Sequence, residues 1–167
     1  MSENNYQIRW MIKKNLSEVL EIERESFEFP WMEEEFLCAL RRRDCILMVA
    51  NNYYNIHGFM IYEFHESKFN VINFAVKPEY RRIGIGRTMI DKLKNKIDIQ
   101  RRNEITMLVR DSNLGGQLFL KSQEFKATNV FRNAFENYDN SNDDGYLMSY
   151  NVDRCSERFD NIYLKAS

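Results

Sequence analysis

Apolar and polar residues alternate over residues 6–12, with Ile8, Trp10 and Ile12 against Gln7, Arg9 and Met11, the period-two pattern of a half-buried strand. Asn15 then offers an N-cap with Glu18 three residues on, and Leu16, Val19, Leu20, Ile22 and Glu23 follow at helical spacing. Phe27-Glu28-Phe29-Pro30-Trp31 breaks this helix, and a second is predicted over 32–42 with Phe36, Leu37 and Leu40 as its apolar stripe. Three strands are predicted at 46–50, 58–64 and 69–76, with Asn51-Asn52 and His65-Glu66-Ser67 as the turns between them. From residue 84 to about 100, Ile85, Met89, Ile90, Leu93 and Ile97 recur at helical spacing. A strand at 105–109, a helix at 114–122 and closing strands at 127–131 and 146–151 complete the pattern. The order βααβββαβαββ predicts an α/β (α+β type) domain over 1–151, a mixed sheet flanked by helices. Residues 152–167 read as an added tail, in which Phe159, Ile162 and Tyr163 have the spacing of a short packing helix.

The length of 167 residues suits one domain. Hydrophobic residues at 44% and aromatics at 14% supply a core, which excludes general disorder. Lys and Arg number 24 against 25 Asp and Glu, a net charge of −1. Proteins that work by neutralising a nucleic-acid backbone carry a basic surplus, so that class is excluded while one small basic pocket is not. There is no apolar run of about 18 residues to cross a membrane, and the polar start Met1-Ser2-Glu3-Asn4-Asn5 has no signal-peptide core. Cys38, Cys45 and Cys155 lack CxxC spacing, and His57 and His65 are the only histidines. That set supports neither a disulfide framework nor a metal site. The expectation is a chain of the reducing cytoplasm, without metal, nucleic acid or membrane, acting as a monomer or weak dimer.

The chemistry concentrates in Val76-Lys77-Pro78-Glu79-Tyr80-Arg81-Arg82-Ile83-Gly84-Ile85-Gly86-Arg87-Thr88, which joins a buried strand to a helix through arginines and glycines. Glycine lets a ligand approach the backbone closely. The helix start adds unpaired N–H groups and the positive end of a dipole. Together they predict an anion site of the kind that grips a pyrophosphate. No GK[ST] follows, so this is not a Walker loop, and Met89 stands at the third glycine position of the dinucleotide fingerprint.

Three stretches carry a resemblance. Arg81-x-x-Gly84-x-Gly86, after an apolar strand and before an amphipathic helix, resembles the acetyl-CoA loop of the GNAT acyltransferases. Glu23-Arg24-Glu25-Ser26-Phe27-Glu28-Phe29-Pro30-Trp31 resembles the helix-to-loop signature of the RimI-like N-terminal acetyltransferases of that superfamily, where a Phe precedes a Pro-Trp pair. Val109-Arg110-Asp111-Ser112-Asn113, followed by a helix ending near Phe125, resembles their VRxSN segment. The likeness runs from about Ile8 to Tyr150, with the motifs in order. It implies the GNAT fold, acetyl-CoA as co-substrate, and direct transfer to an amine without an acyl-enzyme. It also implies a protein or peptide N-terminus as acceptor, such as that of a ribosomal protein. On the resemblance, Phe74, Ala75 and Val76 take the acetyl and pantetheine arm. Arg81, Arg82, Ile83, Gly84, Ile85, Gly86 and Arg87 take the pyrophosphate, and Asn113 meets the cofactor. Phe29, Pro30 and Trp31 become a substrate-side loop, and Cys38 and Cys45 need no catalytic role.

The chain departs from that family where protons are handled. The family's basic glutamate, two residues before the arginine of VRxSN, is Leu108 here; its acidic tyrosine falls at Phe119 or Leu120; and Glu124 replaces a glycine before Phe125. Losing one such group typically costs about 10²- to 10⁴-fold in rate. An α-amine with a pKa of about 7.7–8.0 is roughly a tenth neutral at pH 7, whereas a lysine at about 10.4 is neutral about once in a few thousand molecules. The departures therefore favour an N-terminal acceptor. A small-molecule amine acetyltransferase and a catalytically silent acyl-CoA-binding module are the alternatives. Glu63, His65, Tyr80 and Tyr138 are candidate replacements, as is a bound water.

The remaining basic and acidic runs have plainer readings. Arg41-Arg42-Arg43 ends a predicted helix, where positive charge suits the dipole, and Arg101-Arg102 is expected to close the next long helix in the same way. Residues 139–145 form an acidic, Asn-rich segment expected to be a solvated hairpin loop, with recognition of a cationic N-terminus as its functional alternative.

Overall fold

The computed structural model describes residues 6–98, 101–137 and 141–152. Its elements are β1 (Gln7–Trp10), α1 (Leu16–Ser26), α2 (Glu33–Arg41), β2 (Cys45–Asn51), β3 (Ile56–Phe64), β4 (Lys68–Val76), α3 (Ile85–Lys94), β5 (Glu104–Arg110), α4 (Leu114–Ser122), β6 (Lys126–Glu136) and β7 (Asn142–Asn151). This is the expected order βααβββαβαββ. The seven strands form one sheet in the order β1-β2-β3-β4-β5-β7-β6. Every neighbouring pair is antiparallel except β4 and β5.

Helices cover both faces of the sheet, which is why β2 and β3 read as nearly unbroken apolar runs. On one face Leu47, Val49, Phe59 and Ile61 pack against Val19, Leu20 and Ile22 of α1 and Phe36 of α2. On the other, Met48, Met60, Tyr62, Phe69 and Val71 pack against Ile85, Met89, Ile90 and Leu93 of α3 and Leu120 of α4. The helical stripes supply these residues at the spacing that places them on one side.

Several expected details differ. Asn15 makes no side-chain cap to α1; its Oδ1 accepts from Ile12 N (3.1 Å) and Arg9 Nη1 (2.9 Å), closing a 3-10 turn at Lys13–Asn15. Glu18 reaches the sheet instead, accepting from Ile56 N at 3.0 Å. α3 ends at Lys94, short of the predicted 100. There the backbone tightens to three-residue bonds, Lys96 N to Leu93 O and Ile97 N to Lys94 O, both 3.0 Å, and an isolated bridge joins Asp98 and Arg102. Arg102 is therefore no helix end: its Nε donates to His65 O (2.6 Å), and its guanidinium lies 5.7 Å over each of the Phe64 and Phe69 rings.

The closing hairpin is longer than its pattern suggests, because β6 is an edge strand with an exposed surface and so lacks a clear alternation. The acidic segment is correspondingly no solvated loop from 142 onward. Asn142 to Gly145 belong to β7, Asp143 accepts from Arg110, and Asp144 accepts from Arg132 and from Asn133 N. Tyr138, Asp139 and the tail residues Cys155, Phe159, Ile162 and Tyr163 lie outside the described residues.

Candidate functional site

β4 and β5 pair only over Lys68–Val71 and Glu104–Met107. Beyond that point the strands part, with β4 running on to Val76 and β5 to Arg110. The parting coincides with a bulge: Tyr62 pairs with Val71 and Ile61 with Asn73, leaving Ile72 as the extra residue. A bulge resets the alternation of faces. Ile72 packs on the α1–α2 face, and so does Asn73, whose Nδ2 donates to Glu23 Oε2 of α1 at 3.1 Å. Phe74 returns to the α3–α4 face against Phe119, ring centroids 5.9 Å apart. Ala75 and Val76 then alternate between the two faces. On β5, Thr106 Oγ1 lies 3.0 Å from Asn70 Oδ1. Leu108, two residues on, points to that same face. Leu108 and Asn73 thus flank the opening on the α1–α2 side.

The loop after β4 leads through a tight turn into the open start of α3. Lys77 N donates to His57 O (2.8 Å), a 3-10 turn spans Pro78–Tyr80, and backbone φ is positive at Arg82 (67°) and Gly84 (96°). Arg81 braces the turn, with Nε on Val76 O (2.8 Å) and Nη2 on Ser26 Oγ (3.0 Å). Arg82, Ile83 and Arg87 are exposed. The first backbone bond into α3 runs from Thr88 N to Gly84 O (2.9 Å), and no side chain caps Gly84. The amides of Ile85, Gly86 and Arg87 are therefore the orphan donors of a helix start. A Cβ at Gly86 would stand 3.1 Å from Phe119 Cζ, so glycine there also lets α3 close on the Phe74–Phe119 pair. These features fit a pyrophosphate: open amides, a dipole end and adjacent exposed cations.

The opposite wall is the α1–α2 loop. Phe29, Pro30 and Trp31 are half-buried, and the Trp31 ring meets Phe36 edge-on at 5.5 Å, so the loop is stapled to the core. Glu23, 1% exposed, accepts Trp31 N at 2.7 Å through Oε1 and holds Asn73 through Oε2. Burial pushes its carboxyl up to about 7, against the hydrogen bonds from Trp31 and Asn73 and with a further push from Glu35. Arg110, at the end of β5, lies between the rings of Phe29 (4.7 Å) and Phe135 (4.4 Å) and donates to Asn137 Oδ1 (2.8 Å) and Asp143 Oδ2 (2.9 Å). Asn113 caps α4, its Oδ1 accepting from Gly116 N at 2.9 Å.

The candidate proton-handling groups are dispersed. Glu63 is occupied by Arg42 (2.6 Å), His65 (3.2 Å) and Asn70 (3.2 Å). Burial raises its carboxyl, but Asn70 and Arg42 outweigh this and hold it below the usual range. The Tyr80 ring lies tilted at 44° against the buried His57 ring, centroids 3.9 Å apart. Leu120 is buried in the core, and Glu124 sits at φ 68° with its carboxylate on Lys94 Nζ (3.0 Å). That left-handed backbone is one a glycine adopts without strain. Two residues that sequence reasoning does not single out as functional, Asn73 and the buried Glu23 that holds it, lie at the edge of the opening. One signal was legible: Glu23 falls in the apolar stripe of α1, where a solvated carboxylate does not belong.

Comparison with known proteins bears on the family and the fold. The sequence model of the acetyltransferase (GNAT) family matches residues 16–125. The [ribosomal protein bS18]-alanine N-acetyltransferase of Escherichia coli K12 is 25% identical over 122 residues, 73% of this chain and 82% of that one. The crystal structure of the Escherichia coli ribosomal-protein-S18-alanine N-acetyltransferase superposes with a TM-score of 0.76 at 22% identity, covering 88% of this chain and 94% of that one. Arabidopsis thaliana NAA60 in complex with acetyl-CoA superposes with a TM-score of 0.75 at 15% identity, covering 89% of this chain and 99% of that one.

Proposed function

The chain belongs to the acetyltransferase (GNAT) family and is an N-acetyltransferase that uses acetyl-CoA, and on that premise we propose that it acetylates the α-amine of a protein or peptide N-terminus. Acetyl-CoA supplies the thioester. The neutral amine nitrogen bonds to the thioester carbonyl carbon, the carbon–sulfur bond breaks, and the amine's surplus proton reaches the departing sulfur through water. In this reading the amides and exposed cations from Arg82 to Arg87 hold the pyrophosphate, while Arg81 keeps the loop in place. Phe74, Ala75 and Val76 line the pantetheine arm along the free stretch of β4, and Asn113 meets the cofactor from the start of α4. Phe29, Pro30 and Trp31 form the acceptor-side wall.

The observation that carries the acceptor class is Leu108 beside the opening, where a base is missing. An acceptor whose amine is already partly neutral tolerates this best, and an α-amine with a pKa of about 7.7–8.0 is one. The name of the Escherichia coli relative, an alanine N-acetyltransferase of a ribosomal protein, supports the same class, with a ribosomal protein among the candidate acceptors. The test is incubation with acetyl-CoA and a library of free-N-terminus peptides, read by mass spectrometry beside N-terminally blocked, lysine-containing controls. Products on α-amines alone are expected. Products confined to lysines or to small amines overturn the acceptor reading.

A further inference from the structure

The two side chains flanking the β4–β5 opening on the α1–α2 face are unlike. Leu108 has no polar atom, whereas Asn73 carries an amide and is 8% exposed. Asn73 Nδ2 is anchored on Glu23. Its Oδ1 accepts no hydrogen bond among the described residues, and the side chain keeps a small exposed area. An ionised carboxylate only accepts, and a side-chain amide has one donating and one accepting end. Glu23 therefore turns the donor inward and the carbonyl oxygen outward. It cannot swing away, because its other oxygen holds Trp31 N at 2.7 Å. Asn73 also directly precedes Phe74, the first residue of the stretch assigned to the acetyl arm.

We infer that Asn73 Oδ1 accepts a hydrogen bond from the incoming amine and aims its lone pair at the thioester, with Glu23 as the positioning residue that fixes which end of the amide faces that amine. The inference rests on reading the β4–β5 opening as the transfer site, and it adds no covalent step. It places a polar acceptor across the opening from Leu108. Protonated Glu23 donates, which reverses the pair: Asn73 Oδ1 turns inward and Nδ2 outward, where it opposes an amine N–H. Glu35 of α2 is the charge acting on Glu23. Phe59, Ile61 and Ala75 on the packed strands are uncharged, and Glu79 of the turn after β4 is paired with Lys77 at 3.4 Å.

Glu23→Gln separates orientation from structure. Glutamine's one carbonyl accepts Trp31 N, so its NH₂ faces Asn73 and holds the amide reversed at every pH, with both hydrogen bonds kept. On whichever amine the wild type acetylates, Glu23→Gln and Asn73→Ala are expected to lower acceptor kcat/KM at least tenfold while the acetyl-CoA Kd stays within twofold. In 15N–1H NMR the Asn73 side-chain NH₂ signals of the wild type should titrate with a midpoint near pH 7 and stay fixed in Glu23→Gln. Acceptor kinetics within twofold of wild type in both variants overturn the inference, as do Asn73 signals that do not move with pH. A wild type that acetylates lysines instead of N-termini sinks the N-terminal reading alone, because the Asn73 effect is then read on lysine. A wild type that binds acetyl-CoA and transfers to no amine removes the acceptor role, and the inference falls with it.

Discussion

At Gly84 the chain needs a left-handed backbone and an unobstructed approach at the same place. Its φ is 96°, and a Cβ built there would meet nothing within 4 Å, so space is not the constraint; conformation and charge are. A residue with an ordinary side chain in that region costs about 1–2 kcal/mol, and glutamate and glutamine share that cost. Gly84→Glu and Gly84→Gln are therefore matched in strain and size and differ in one negative charge beside the orphan amides of α3. Gly84→Glu should bind CoA at least tenfold more weakly than Gly84→Gln, about 1.4 kcal/mol, with a gap that narrows as salt rises. Isothermal titration of both variants at low and high salt reads this directly. Equal affinities would mean that the loop does not carry the phosphates. The neighbouring arginines divide the labour: Arg81 is spent on Val76 and Ser26, so an Arg81 variant should report on loop structure as much as on charge.

At the scale of elements, the site is a junction. The α1–α2 loop, the end of β5 and the β6–β7 hairpin meet at Arg110, whose guanidinium lies between Phe29 and Phe135 while donating to Asn137 and Asp143. Lysine keeps the charge but not the planar fork that stacks on both rings. Arg110→Ala is expected to destabilise the fold by about 1–3 kcal/mol and to raise acceptor KM several-fold with acetyl-CoA affinity unchanged, with Arg110→Lys in between. Urea unfolding and steady-state kinetics on the three proteins check it; an unaltered acceptor KM would show that the junction only supports the fold. The order of these elements was legible in the sequence because periodicity is local, and so was the phosphate loop, whose glycines and helix start are neighbours in the chain. What joins the elements was not. Asn73 and Glu23 are fifty residues apart in sequence and meet only because the bulge at Ile72 puts Asn73 on the α1 face. The end of α3 was also hidden, since Ile97 continues the helical spacing from a turn that is no longer helix.

The whole molecule sets the ionisation of Glu23, because that carboxyl is enclosed between a sheet and two helices that exist only once the chain has folded. Burial raises it from 4.5 to about 7, so between those values the folded protein keeps a proton that the unfolded chain has released. The native state then binds more protons than the unfolded one, and stability falls as pH rises. This contribution is fully present below about pH 4.5, declines through the window and is gone above about pH 7. Holding that proton across the whole window corresponds to a swing in stability of about 3 kcal/mol. Other groups titrate over the same range, and Glu23→Gln isolates this one, since glutamine keeps both hydrogen bonds and carries no charge at any pH. The difference in unfolding free energy between Glu23→Gln and the wild type should grow by about 3 kcal/mol from pH 4.5 to pH 7.5 in favour of the variant, then level off. Denaturant unfolding at half-unit pH steps measures it, and a pH-independent difference would mean that Glu23 titrates as a solvated carboxylate. Above about pH 7 the folded protein carries Glu23 ionised, without the stability that its proton supplies at lower pH, and that ionised state is the one in which its carboxylate only accepts and so fixes Asn73 with the carbonyl oxygen outward.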